Sequence, residues 1–138
     1  MKDVDILIVH CGGEEIIKNC LTSIKKNTRS YNIYVLLNGC KDKSEELIRK
    51  NFKEVRLLKT NKLIGFAEAV NLLARNSESK YIVLLNNDVV VGKKWLDEMI
   101  KTMNRHENCV ACQGKIKSYY KRDEFEYAGA GGGFIDIY

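Results

Sequence analysis

Apolar residues fall in two alternating patterns along the chain, short unbroken runs and stripes at helical spacing. Asp5-Ile6-Leu7-Ile8-Val9 is a short run of the kind that forms a strand covered on both faces. Gly12-Gly13 breaks it. Ile16, Ile17, Cys20, Leu21 and Ile24 then recur at helical spacing, with Lys25 and Lys26 at the end where a helix dipole favours cations. Ile33 to Leu37 predicts a second strand, closed by the turn signal Asn38-Gly39. Asp42 and Glu45 read as a capping box that opens a helix carrying Leu47 and Ile48. Val55 to Leu58 predicts a third strand, and a helix beginning near Gly65 sets Phe66, Val70, Leu73 and Ala74 on one side. Tyr81 to Leu85 predicts the fourth strand and reads as the most clearly buried; Asn86-Asn87-Asp88 follows it directly. Trp95, Leu96, Met99, Ile100 and Met103 form the core-facing stripe of a fourth helix. Cys109 to Ile116 reads as another strand. A polar, aromatic stretch, Ser118 to Tyr127, leads to a glycine run from Gly129 to Gly133 and an extended Phe134 to Tyr138.

Strands alternating with helices imply an α/β fold with a mostly parallel sheet and right-handed crossovers. Such sheets bind ligands at the carboxyl ends of their strands, near the switch in strand order. That rule brings three segments to one site: Cys11 to Gly13, Asn38 to Asp42, and Asn86 to Asp88. The 138 residues fit one domain, 1–138, without repeats or linkers. Because the chain stops on an apolar, strand-like segment, we expect a domain truncated at its C-terminus. An apolar surface left by truncation would favour a homo-oligomer.

Composition narrows the function classes. The 45% hydrophobic and 30% charged content is that of a globular protein rather than a disordered one. A formal charge of +5 mildly favours an anionic partner, but the basic residues are too scattered for a nucleic-acid surface. The odd count of five cysteines and the absence of a secretory signal predict reduced thiols in a cytoplasmic protein. Cys109 and Cys112 have metal-ligand spacing but no second pair, and they read as packing within a strand. No apolar run approaches the roughly 20 residues that span a bilayer. Attachment at the inner face of a membrane would come from sequence outside this chain.

Three positions carry candidate chemistry. Asp88, at the tip of the fourth strand, offers the hard oxygen that Mg2+ or Mn2+ prefers, and one carboxylate is enough where the substrate's phosphates complete the shell. It also reads as a turn cap. Asn38 offers a donor and an acceptor to a base edge, or else forms an Asn-Gly turn feeding a cap at Asp42. The helix near Gly65 presents backbone N–H groups, and Asn71 in its middle is either a residue hydrogen-bonding a ligand or an exposed or core-satisfied one.

Taken in order, these segments resemble glycosyltransferase family 2. The matching residues are Ile6-Leu7-Ile8-Val9, Asn38-Gly39-Cys40-Lys41-Asp42, Gly65-Phe66-Ala67 with Asn71, and Leu84-Leu85-Asn86-Asn87-Asp88. Trp95-Leu96 and Tyr127-Ala128-Gly129 to Gly133-Phe134 match its rhamnosyltransferase-like members with an Asn-Asn-Asp motif. The resemblance implies a three-layer α/β/α, Rossmann-like GT-A fold. It also implies inverting transfer of a sugar from a UDP-, dTDP- or GDP-linked donor to a glycan, lipid-linked or other hydroxyl acceptor. In that mapping Asp88 holds the divalent cation, Asn86 and Asn87 face the donor's ribose and sugar, Asn38 meets the base, and Cys11 lies along the nucleoside. His10 has no role in it.

The chain departs from the family's pattern at Leu37, where an acid is usual, and at His10-Cys11-Gly12-Gly13, where an aromatic and an Asn are common. No residue maps to the downstream Asp or Glu that serves as general base. The resemblance therefore implies donor binding with little or no transfer by this chain, and a non-catalytic nucleotide-binding module is the alternative. A dinucleotide oxidoreductase is excluded because the first loop lacks G-x-G-x-x-G.

Overall fold

The computed structural model describes residues 3–121 and 123–127. The chain falls into two compact units, Met1–Lys93 and Lys94–Tyr138. The first contains β1 (Val4–His10), α1 (Glu14–Asn27), β2 (Asn32–Asn38), α2 (Ser44–Asn51), β3 (Val55–Thr60), α3 (Phe66–Ala74) and β4 (Tyr81–Leu84). The second contains α4 (Trp95–Arg105), β5 (Ile116–Lys117) and β6 (Phe125–Tyr127). Among the described residues no helix is long and apolar enough to cross a membrane.

The first unit is a parallel sheet in the order β3-β2-β1-β4. Its topology follows from crossover handedness. The β1-α1-β2 and β2-α2-β3 connections step the same way across the sheet, so right-handed crossovers put α1 and α2 on one face. The β3-α3-β4 connection steps back past β1 and puts α3 on the other. Leu7, Tyr34 and Leu36 cluster with Ala69 and Leu73 of α3 on that second face. By strand alternation Ile6, Ile8 and Val35 point the opposite way, where α1 buries Ile17, Leu21 and Ile24 and α2 buries Ile48. This is the three-layer α/β/α arrangement that the resemblance implied, with the parallel sheet expected from the strand-helix rhythm.

Several expectations need correction. The most buried strands are β1 and β2, not β4. Among the described residues β4 is an edge strand, and Ile82 and Leu84 are 48% and 56% exposed. Their apolar run looked like a buried strand because sequence alone does not say how many neighbours a strand has. Phe66 is exposed rather than packed; α3 buries Ala69 and Leu73. Asp42 and Glu45 form no capping box. The residue preceding α2 is Lys43, which makes no side-chain cap, and Glu45 pairs with Lys59 and Arg49 instead. In the second unit only Leu96 of the predicted stripe is buried. Cys109 to Lys115 has no regular structure, and the strand there is Ile116–Lys117 alone, antiparallel to β6. All five cysteines are free thiols. The glycine run and the Phe134 to Tyr138 segment lie outside the described residues.

Candidate functional site

In the order β3-β2-β1-β4, the chain leaves β1 toward one side of the sheet and returns to its other side as β4. Strand order thus reverses at β1, and the carboxyl ends of β1 and β4 flank the place where such sheets bind ligands. The three segments singled out from the sequence are the loops that follow β1, β2 and β4.

The loops after β1 and β2 are tied together by Asp42. Its Oδ2 accepts from Gly13 N at 2.7 Å and its Oδ1 from Ser44 N at 3.1 Å. Burial alone would raise the Asp42 pKa, but the hydrogen bonds from Ser44 and Gly13 outweigh it and hold the carboxyl below its ordinary value. Gly13 takes a left-handed φ of 99° at the foot of α1, a conformation glycine adopts without a Cβ penalty. Cys40 Sγ donates to His10 O at 3.0 Å. Burial, with Asp42 and Cys11 adding negative charge, pushes the Cys40 thiol up to about 11, so it is protonated at neutral pH. Cys11 is exposed at the first loop.

The loop after β4 is laid along α1. Cys20 Sγ donates to Asn86 O at 3.7 Å, Ser23 Oγ accepts from Val91 N at 3.0 Å, and Asn27 Nδ2 donates to Val91 O at 2.9 Å. Cys20, Ser23 and Asn27 are spaced three and four residues apart and so share one helix face. A turn closes with Val89 N donating to Asn86 O at 3.4 Å. Asn86 and Asp88 are exposed and Asn87 is half-buried. Asp88 forms no ion pair among the described residues, and its charge is felt below: burial first, and Asp88 second, push the Cys20 thiol up to about 12.

Two groups of side chains at this edge offer metal ligands, and they differ in chemistry. His10, Cys40 and Asp42 place ligand atoms within 4.8 Å of one another. Both imidazole nitrogens and both Asp42 oxygens are already hydrogen-bonded, and a thiol is a soft donor. That cluster does not suit Mg2+ or Mn2+. Asp88 differs in offering a hard, exposed carboxylate on the loop after β4.

The remaining predicted residues are placed differently from one another. Asn38 is 2% exposed, and its amide is engaged at both ends. Nδ2 donates to Ile64 O at 2.9 Å, while Oδ1 accepts from Ile64 N at 2.9 Å and from Thr60 Oγ1 at 3.1 Å. The sequence left a base contact or a turn open for this amide; in the structure it holds the segment between β3 and α3. Asn71 is exposed on α3. Sequence reasoning missed His10, Ser44, Ser23 and Asn27. For the last two, the polar residues interleaved in the apolar stripe of α1 were the available signal.

The model of the family described as "Glycosyl transferase family 2" matches residues 5–134. The teichoic acid poly(glycerol phosphate) polymerase of Staphylococcus epidermidis is 24% identical over 116 residues, which is 80% of this chain and 16% of the polymerase. The mannosyltransferase PcManGT of Pyrobaculum calidifontis, solved with GDP-Man and Mn2+, superposes with a TM-score of 0.67 at 16% identity, over 72% of this chain and 31% of that one. S. aureus TarS 1-349, solved with UDP, superposes with a TM-score of 0.69 at 13% identity, over 84% of this chain and 40% of that one. The chain thus spans well under half the length of these relatives, and the solved structures bear on its fold.

Proposed function

Because this chain belongs to glycosyl transferase family 2, we propose that it forms the donor-binding part of an inverting glycosyltransferase and holds a nucleotide diphosphate sugar through Mg2+ or Mn2+ at Asp88. The observation that carries this reading is the convergence of the loops after β1, β2 and β4 at the switch point, with Asp88 exposed on the last of them. The GDP-Man and Mn2+ in the mannosyltransferase and the UDP in TarS support a nucleotide sugar and a cation as the ligands of such a fold.

Electrostatics supply the reason for a cation. Asp42 and Asp88 both lie at this edge, and a pyrophosphate approaching them unaccompanied would be repelled. A divalent ion held at Asp88 together with the diphosphate would neutralise that charge and would favour departure of the nucleotide. The residues of the chain then have distinct tasks. Asp88 supplies the carboxylate; Asn86 and Asn87 offer amides on the ribose and sugar side; Cys11 lines the nucleoside. Asn38 acts indirectly, by fixing the backbone at Ile64. The proposed donor carries uracil, thymine or guanine, and the proposed acceptor is a glycan, lipid-linked or other hydroxyl.

We assign donor binding rather than transfer to this chain, since none of its residues matches the family's general base. A nucleotide-binding module without turnover is the second reading, favoured by Leu37, a buried apolar residue where an acid is usual. Calorimetric titration of UDP, dTDP and GDP, with and without MnCl2, tests the proposal. Binding that requires manganese and is lost in Asp88→Asn supports it, and binding indifferent to both refutes it. Sugar transfer from a bound donor, set against none at all, separates the enzyme from the module.

A further inference from the structure

His10 is fully buried at the end of β1, and both of its ring nitrogens are bonded. Nδ1 lies 2.8 Å from Asn87 Nδ2, and Nε2 lies 2.9 Å from Ser44 Oγ. An amide nitrogen only donates, so Nδ1 must accept. The ring proton therefore sits on Nε2 and is given to Ser44 Oγ. The ring is thus a neutral, directional connector with one acceptor facing the Asn86-Asn87-Asp88 loop. Ser44 N in turn donates to Asp42, which also holds Gly13. One continuous chain of contacts, Gly13-Asp42-Ser44-His10-Asn87, joins the loops after β1, β2 and β4. Asn87 is the only member on the β4 loop, and Asp88 is its next residue.

We propose that His10 is a positioning residue that orients Asn87 through Nδ1 and so sets the Asn86-Asn87-Asp88 loop for a cation-bound diphosphate. The inference rests on the donor-binding reading above and deepens it. His10 touches neither cation nor nucleotide in this scheme; it acts through Asn87. The second bond, to Ser44, fixes the ring and its tautomer. The direction of the Asn87 bond is the specific claim. Any apolar side chain of similar volume would fill the same space, but none would accept the Asn87 amide hydrogen.

Two conservative variants separate the two bonds. An Asn side chain at position 10 places an amide oxygen near where Nδ1 lies, and a Gln side chain places an amide nitrogen near where Nε2 lies. His10→Asn thus keeps the acceptor toward Asn87 and loses the bond to Ser44. His10→Gln keeps the donor toward Ser44 and loses the acceptor. The experiment titrates UDP, dTDP and GDP with MnCl2 into wild type, His10→Asn, His10→Gln and Asp88→Asn, with urea unfolding of each as the measure of fold stability.

We expect His10→Asn to stay within about twofold of wild-type affinity and His10→Gln to weaken about five- to tenfold, the effect of one neutral hydrogen bond. Both variants should lose comparable stability. Nitrogen-15 shifts of the wild-type imidazole should show Nε2 protonated and Nδ1 bare. Equal weakening in both variants, no weakening in either, or a protonated Nδ1 would overturn the inference. If Asp88→Asn abolishes binding while His10→Gln does not weaken it, this inference fails and the donor-binding reading stands. If Asp88→Asn binds like wild type, the reading itself fails and this inference with it.

Discussion

Replacing Asn38 by Ala is the sharpest test of how the site is held together. The wild-type amide makes three hydrogen bonds, two with the Ile64 backbone at 2.9 Å and one from Thr60 Oγ1 at 3.1 Å. At about 1 kcal/mol net for each neutral bond, the sum is roughly 3 kcal/mol. Ile64 is half-buried, so water recovers part of what its N–H and C=O lose. We therefore expect Asn38→Ala to cost about 2–3 kcal/mol, at the upper end of ordinary single substitutions. Urea unfolding at neutral pH, followed by far-UV circular dichroism, measures it. Asn51→Ala is the matched control, because that exposed amide makes one bond, to Leu47 O; its cost should be below about 0.5 kcal/mol. A loss for Asn38→Ala no larger than the control's would show that this amide does not hold the β3–α3 segment. Its assignment would then return to direct contact with the base.

Two further substitutions follow from the same geometry. Asp5 is 1% exposed and accepts from Ser79, Asn32 and Ser77; burial would raise its pKa, but those bonds hold it below the ordinary 3.8. Its stabilisation is complete above the unfolded carboxyl's pKa and is lost as the pH falls through the lower folded value. Asp5→Ala should thus cost about 3 kcal/mol or more at pH 7 and clearly less in acid, read from urea midpoints at the two pH values. Gly39 sits at φ 66°, and a Cβ there would lie 2.6 Å from Leu63 N. Gly39→Ala should destabilise by at least about 1–2 kcal/mol and reduce nucleotide affinity, whereas an unchanged thermal midpoint would mean the turn relaxes freely.

The elements of the first unit were legible because their signals are local. Apolar strand runs such as Ile33 to Leu37 and a helical stripe such as Ile17, Cys20, Leu21 and Ile24 carry their own period, and the alternation of the two dictates a parallel sheet. What misled was non-local. Ile82 and Leu84 carry the composition of a buried strand, yet exposure depends on which neighbours the sheet supplies. Phe66 reads as core, but α3 turns the smaller Ala69 toward the sheet. Glu45 has the right spacing for a capping box, but Lys59 of β3 and Arg49 of α2 both lie within reach of its carboxylate. At the site, the three loops were legible from the switch-point rule, but the bonds among them were not. His10 has no sequence neighbour that signals its contacts with Ser44, 34 positions on, and Asn87, 77 positions on. Asn38 was open to two readings because an amide at a strand tip suits a base edge and a backbone contact equally well.

In the proposed site, a cation held at Asp88 brings the diphosphate to the carboxyl edge of β1 and β4. Paramagnetic broadening of backbone amide signals by Mn2+ tests it most directly, recorded with manganese alone and with manganese plus UDP, dTDP or GDP. Broadening should appear with the nucleotide, centre on residues 86–88, extend to residues 11–13, and vanish in Asp88→Asn. Broadening centred on His10, Cys40 and Asp42 instead, or the same with and without nucleotide, would contradict it.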